Sequence, residues 1–233
     1  MKRFFEKRKV LLSYLIVFSV FLAIPLLGNY NISAFSQNLS KQRCVIIDAG
    51  HGGEDGGAVS CTGVYESNIN LQVAQKLEDL FHLLGYKTRM IRDSDRSIYT
   101  EGTTIAAKKV SDIKERVRIV NTTPYALCLS IHQNYYQDPR YSGAQVFYNT
   151  SSDSKLLAER IQTAFREHLD ANNKRQCKKI SGVYLMDHIN CTGVLVECGF
   201  LSNPEEEKNL RNDGYQRKLC TVIGSAGSRY LNT

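Results

Sequence analysis

Three short apolar runs, each breaking directly into polar residues, constrain this chain more than any other feature. Residues 44–49 (CVIIDA) lead into His51, residues 125–131 (YALCLSI) into His132 and Asn134, and residues 193–196 (GVLV) into Glu197. Runs this short and this apolar read as strands buried on both faces, the habit of parallel sheets. Between them, Ile69, Val73, Leu77, Leu80, Phe81 and Leu84 recur at helical steps after Glu66, with Gly85 where a C-cap glycine belongs. Helical spacing returns over residues 105–120, 154–169 and 215–230. Residues 86–92, 143–148 and 183–186 read as further strands, that at 143–148 exposed or at an edge, and KRQCKK at 174–179 reads as a basic loop. Such alternation predicts a single α/β domain with a mainly parallel, mixed central sheet and helices on both faces. In sheets of this kind functional residues gather at the carboxyl ends of the strands.

The 233 residues carry a formal charge of +7, but Lys2, Arg3, Lys7, Arg8 and Lys9, set against Glu6, account for +4 of it. The remainder is only weakly basic, and no nucleic-acid partner is expected. After that basic flank comes an uncharged apolar run of 18 residues, 10–27. As a helix it spans about 27 Å, close to the hydrocarbon thickness of a bilayer, and the flank keeps the N-terminus cytoplasmic. The expected layout is therefore a basic flank with a hydrophobic signal-anchor helix over residues 1–27, a polar aperiodic linker over 28–43, and a catalytic domain over 44–233. The chain beyond the anchor is expected to be exported. Ile32-Ser33-Ala34 fits the small-residue cleavage pattern poorly, which favours a membrane anchor over a form secreted to the cell wall. Seven cysteines without a C-x-x-C pair support no zinc knuckle. Most are expected to be free: Cys44, Cys128 and Cys198 read as small buried hydrophobes, and an oxidising compartment leaves room for one disulfide, Cys177 with Cys191 for example, which sequence alone does not pair.

Four ionisable groups converge on one edge of the expected sheet. A catalytic zinc takes three protein ligands of the His and carboxylate kind and leaves a position for water; His51, Glu66 and His132 could supply that set for one Zn2+ per chain, although on the residues alone His51 could instead hydrogen-bond its turn and His132 be a satisfied histidine at a strand end. On the residues alone Glu66 is ambiguous, because the helix dipole favours an acid in a first turn without any metal. Glu197, among apolar neighbours that raise its pKa, suits a general base that later protonates a leaving amine. Asp48 is read as orienting His51, Asn134 as contacting substrate or capping its loop, and His188 as reaching substrate from the loop before the Glu197 strand. Six glycines between positions 50 and 63 imply a closely approached backbone, yet GHGGEDGG matches neither phosphate-binding pattern.

VIIDAGHGGEDGGA at 45–58, YESN at 65–68, SIHQN at 130–134 and VLVECGFLSN at 194–203 together resemble the zinc-dependent N-acetylmuramoyl-L-alanine amidases of the type 3 amidase family. The resemblance covers about residues 44–230. It implies zinc ligands at His51, Glu66 and His132, a catalytic Glu197, and hydrolysis of the amide joining the muramic acid lactyl group to L-alanine in peptidoglycan. Gln133 stands where that family more often has Ala, Gly57 where it has Pro, and residues 97–110 depart from its usual short connection. A hydrophobic segment leading directly into the domain, without wall-binding repeats, is similar to the spore-cortex, germination-related members, which implies muramic-δ-lactam formation; a vegetative autolysin is the competing assignment. Other zinc hydrolases of the wall (a peptidase or deacetylase), a metal-containing wall binder without activity, and an accessory or activating protein partner remain open on the sequence.

Overall fold

The computed structural model describes residues 43–232; the basic flank, the apolar run and nearly all of the linker lie outside the described residues. In chain order the elements are β1 (Cys44–Ala49), α1 (Glu66–Leu83), β2 (Lys87–Met90), α2 (Ile105–Asn121), β3 (Ala126–Asn134), β4 (Gln145–Tyr148), α3 (Ser152–Ala164) running into a π turn (Phe165–Leu169), β5 (Lys178–Lys179), α4 (Tyr184–His188), β6 (Thr192–Phe200), α5 (Pro204–Leu210) and α6 (Asp213–Leu231). One six-stranded sheet runs β2-β1-β3-β6-β4-β5. β2, β1, β3 and β6 are mutually parallel, and β4 runs antiparallel to β6, so the sheet is mixed and mainly parallel, as expected.

The period-2 alternation of the strands divides the core. Val45, Ile47, Leu127, Leu129, Ile131, Val194 and Val196 face α1, α3 and α6, where Val73, Leu77, Phe81, Leu157, Ile161 and Ile223 close over them. Ile46, Cys128 and Leu195 face the other way, against Ile119 and Val120 of α2 and Leu185 and Met186 of α4. Each fully buried Leu, Ile or Val contributes about 1.5–3 kcal/mol relative to exposure, which is why both layers of helices stay docked. Helix α1 ends as its sequence dictates: Gly85 adopts φ 82°, its N–H donates to the His82 carbonyl and the Tyr86 N–H to that of Phe81, the paired bonds of a Schellman cap.

Two expectations are corrected, and the cysteine pairing left open by the sequence is resolved. Residues 183–186 are not a strand; Tyr184–His188 is a short helix, because both sides of β6 are already filled by β3 and β4 and burying Leu185 and Met186 against α2 needs helical spacing. The strand at 143–148 is interior, and the edge beside it is the end of the KRQCKK segment, Lys178 and Lys179, paired with Phe147 and Tyr148. Lysines on such an edge discourage pairing with another chain. Cys177 and Cys191 are both free thiols, as are the other five cysteines.

Candidate active site

β1, β3 and β6 end at one edge of the sheet, and the register fixes what meets there. Asp48 pairs with Ser130, and His132 with Glu197. Alternation puts these four side chains on the face of α2 and α4, which leave the carboxyl ends open. The result is a cavity of about 290 Å3 lined by His51, His132 and Glu197, by Ile105, Ile113, Ile180, Val183, Leu185 and Leu195 on its apolar side, and by Glu54, Asp55, Lys108 and Lys109 on its charged side. Ser97, together with Ile105, Lys108 and Lys109 at the start of α2, builds part of this wall.

The loop after β1 turns sharply, with His51 at φ 60°, a conformation a non-glycine residue keeps only when its surroundings hold it. Two buried arginines do so. Arg92 donates to the carbonyls of Ala49 and Gly50 at 2.8 and 3.0 Å, and Arg116 to those of Ala49 and His51 at 2.9 and 2.8 Å. Gly50 lies against the His132 ring, where an added Cβ would fall 2.2 Å from Cε1, and a Cβ on Gly57 would fall 2.6 Å from Glu66 Oε2. Gly57 also sits at φ 69°, which proline cannot adopt.

At the centre, His51 Nε2 lies 3.3 Å from Glu66 Oε2 and His132 Nδ1 2.9 Å from Glu66 Oε1. The two rings stand edge to face with centroids 5.0 Å apart. One ligand atom from each of the three residues falls within 4.8 Å of the others, a group able to hold a metal ion, and two imidazole nitrogens with one carboxylate oxygen are the donor set of a catalytic zinc. Glu66 is further fixed by N–H groups of Ala58, Gln133 and Asn70 at 3.0, 3.1 and 3.1 Å. Burial pushes its carboxyl up, but the bonds and charges of His132 and His51 outweigh that and hold it well below the usual range. Burial pulls His51 down, yet Asp55 and Glu66 together take it up to about 9.

Glu197 faces the cavity beside this centre. Its Oε2 is closed off from solvent without a hydrogen-bond partner among the described residues. Burial, first of all, pushes its pKa up to about 7, with the Glu66 charge adding to it and His132 and His51 opposing.

The remaining candidates divide. Asp48 is not hydrogen-bonded to the His51 ring: its Oδ1 accepts from Arg116 Nη1 at 2.5 Å and its Oδ2 from Ser130 Oγ at 2.7 Å, so its link to His51 runs through Arg116 and the His51 carbonyl. The residue that holds the imidazole is Asp55, whose Oδ2 accepts from His51 Nδ1 at 2.9 Å while Lys109 Nζ sits 2.7 Å from Oδ1. Asn134 lies past a register shift, opposite Phe200, and its carbonyl accepts from Leu201 N–H. His188 is exposed on α4, bonded through Nδ1 to the Tyr184 carbonyl and stacked on the Tyr184 ring. That short helix turns Val183 and Leu185 to the cavity instead.

The sequence pattern of the family described as N-acetylmuramoyl-L-alanine amidase matches residues 45–226. The chain belongs to that family. It is thus a peptidoglycan amidase, and relatives agree along most of its length. The germination-specific N-acetylmuramoyl-L-alanine amidase of Bacillus subtilis (strain 168) is 36% identical over 191 residues, covering 81% of this chain and 80% of the relative. The CwlD amidase of Clostridioides difficile, solved in complex with the GerS lipoprotein, superposes with a TM-score of 0.79 at 36% identity, over 82% of this amidase and 98% of that chain. A second amidase structure, from Clostridium difficile 630, gives 0.71 at 28% identity over the same shares.

Proposed function

We propose that the amidase is zinc-dependent, with zinc held by His51, Glu66 and His132, and that it hydrolyses the amide between N-acetylmuramic acid and L-alanine. The observation that carries this reading is the convergence of those three donors beside a carboxyl with a closed-off, unpartnered oxygen, Glu197. When bound, zinc supplies polarisation of the scissile carbonyl and makes water a nucleophile near neutral pH. The chain's own residues do the rest. Asp55 keeps the His51 ring turned so that Nε2 faces the centre. Glu197, with a pKa near 7, takes a proton from the attacking water and returns it to the departing amine nitrogen as the C–N bond breaks. The apolar wall of Ile180, Val183 and Leu185 excludes bulk water from that transfer.

The biological setting belongs to the same proposal. The chain is exported and held at the membrane by residues 10–27, acts on spore-cortex peptidoglycan, and frees lactyl groups for muramic-δ-lactam formation. Its relatives include a germination-specific amidase and one solved with a lipoprotein, which supports an accessory protein partner here. Mass spectrometry of muropeptides after incubation with zinc-loaded protein tests the reaction. New N-terminal L-alanine is expected; released acetate or cleavage inside the stem peptide identifies a deacetylase or a peptidase instead, and unchanged wall a binding protein.

A further inference from the structure

The carboxylate at the centre is approached from the far side of the sheet by two buried amides, and their polarity is fixed. Asn70 lies one turn after Glu66 on α1, so both side chains share a face. Its Nδ2 donates to Glu66 Oε1 and to the Gly50 carbonyl, each at 3.1 Å, which occupies both amide hydrogens. Its Oδ1 accepts from Gln133 Nε2 at 3.1 Å. Gln133 comes directly after His132 but points to the opposite face of β3, and its own backbone N–H also donates to Glu66 Oε1. Asn70, Gln133 and Glu66 are all buried.

The chain of donors therefore runs one way, from Gln133 to Asn70 to Glu66. Were the Asn70 amide reversed, its carbonyl would oppose the Glu66 oxygen, and its nitrogen would oppose the Gln133 donor. Glu66, the Gly50 carbonyl and Gln133 together prevent that reversal, and the Gln133 side chain, which also hydrogen-bonds the Cys198 thiol, keeps its Oε1 buried.

We propose that Gln133 and Asn70 are positioning residues that form a one-way amide relay locking the Glu66 carboxylate in its metal-facing orientation. Gln133 acts twice on the same oxygen, directly through its backbone and indirectly through Asn70. This inference rests on the assignment of His51, Glu66 and His132 as metal ligands. Residues that orient a ligand from behind typically change metal affinity 10- to 100-fold when removed, whereas a residue that only fills the core changes stability and leaves affinity per folded molecule alone.

The test uses the full chain, zinc alone as probe, and competition against a chromophoric chelator, alongside thermal melting of the metal-free protein. Gln133→Met keeps the volume and removes the donor. Its zinc affinity is expected to fall about tenfold while the metal-free melting midpoint changes little, because loss of the buried Gln133 Oε1 is offset by the buried Asn70 Oδ1 left without its donor. Asn70→Ala is expected to fall at least as far. Adding Gln133→Met to Asn70→Ala then changes affinity by less than about twofold, since residues acting through one contact are not additive. Gln133→Met with parental affinity, or with a full further loss on the Asn70→Ala background, overturns the relay while zinc binding by the parent stands. A parent that binds no more zinc than His51→Ala overturns the ligand assignment and the relay together.

Discussion

Glu197 stands directly opposite His132 in the register of β3 and β6, so the carboxyl proposed to move the proton and the imidazole proposed to face the metal share one rung of the sheet. Their spacing is set by backbone hydrogen bonds, and no loop intervenes. Glu197→Gln keeps the shape and removes the titration. Turnover on peptidoglycan is expected to fall about 10²- to 10⁴-fold with zinc content unchanged; a variant that retains turnover removes Glu197 from the mechanism.

The same substitution has a stability signature in the metal-free chain. Glu197 has its folded pKa raised from 4.5 to about 7, so its ionised form is disfavoured in the fold, and the penalty develops as pH rises between those values. Glu197→Gln is expected to melt higher than the parent at pH 8 and close to it at pH 4.5. A variant less stable than the parent at pH 8 contradicts the burial argument.

His51 carries the opposite sign. With its folded pKa raised from 6.5 to about 9, the metal-free fold gains stability from the protonated ring that is fully present below 6.5 and is lost as pH rises through about 9. That proton must leave before the nitrogen can accept a cation, so zinc affinity climbs through the same window. Chelator competition at a series of pH values between about 6 and 9 checks this; a flat affinity refutes it.

Asp55→Ala is expected to lower zinc affinity about 10- to 100-fold, since the acceptor behind a ligating imidazole fixes its orientation. Lys109→Ala, which removes only the half-exposed partner of Asp55, is expected to shift affinity less than about fivefold, because such pairs contribute about 0.2–1 kcal/mol. Equal effects from both variants would break this ranking.

Arg116→Met strands Asp48, whose carboxyl burial pushes up and whose contacts with Arg116 and Ser130 bring below the ordinary range. Removing one partner of a buried pair typically costs about 3–5 kcal/mol, readable as a shift in urea midpoint. Arg116→Met combined with Asp48→Asn is expected to recover part of that loss.

Much of the architecture is legible from residue patterns. The aliphatic runs at β1, β3 and β6 specify buried parallel strands whatever surrounds them, and the polar residues at their ends could fall nowhere but the carboxyl edge. The helical spacing from Glu66 to Leu84, stopped by Gly85, is equally local. Asp55, Arg92, Arg116 and Asn70 escape a reading of the sequence because their roles depend on partners brought near by folding; Asp55, four residues past His51 in a glycine-rich loop, carries the only local signal. Helix α5 also escapes it, although Asn203 caps it and Pro204 opens it, a start signal readable in sequence. The stretch at 183–186 is too short for its period to separate strand from helix, and only the occupied flanks of β6 decide it.

With the peptide oxygens of Ala49, Gly50 and His51 clasped from behind by two guanidinium groups, the turn that presents the first imidazole is settled when the chain folds. On the proposed ligand assignment, an arriving cation therefore meets a socket already shaped, and loading becomes an exchange of a proton for a metal with the main chain at rest.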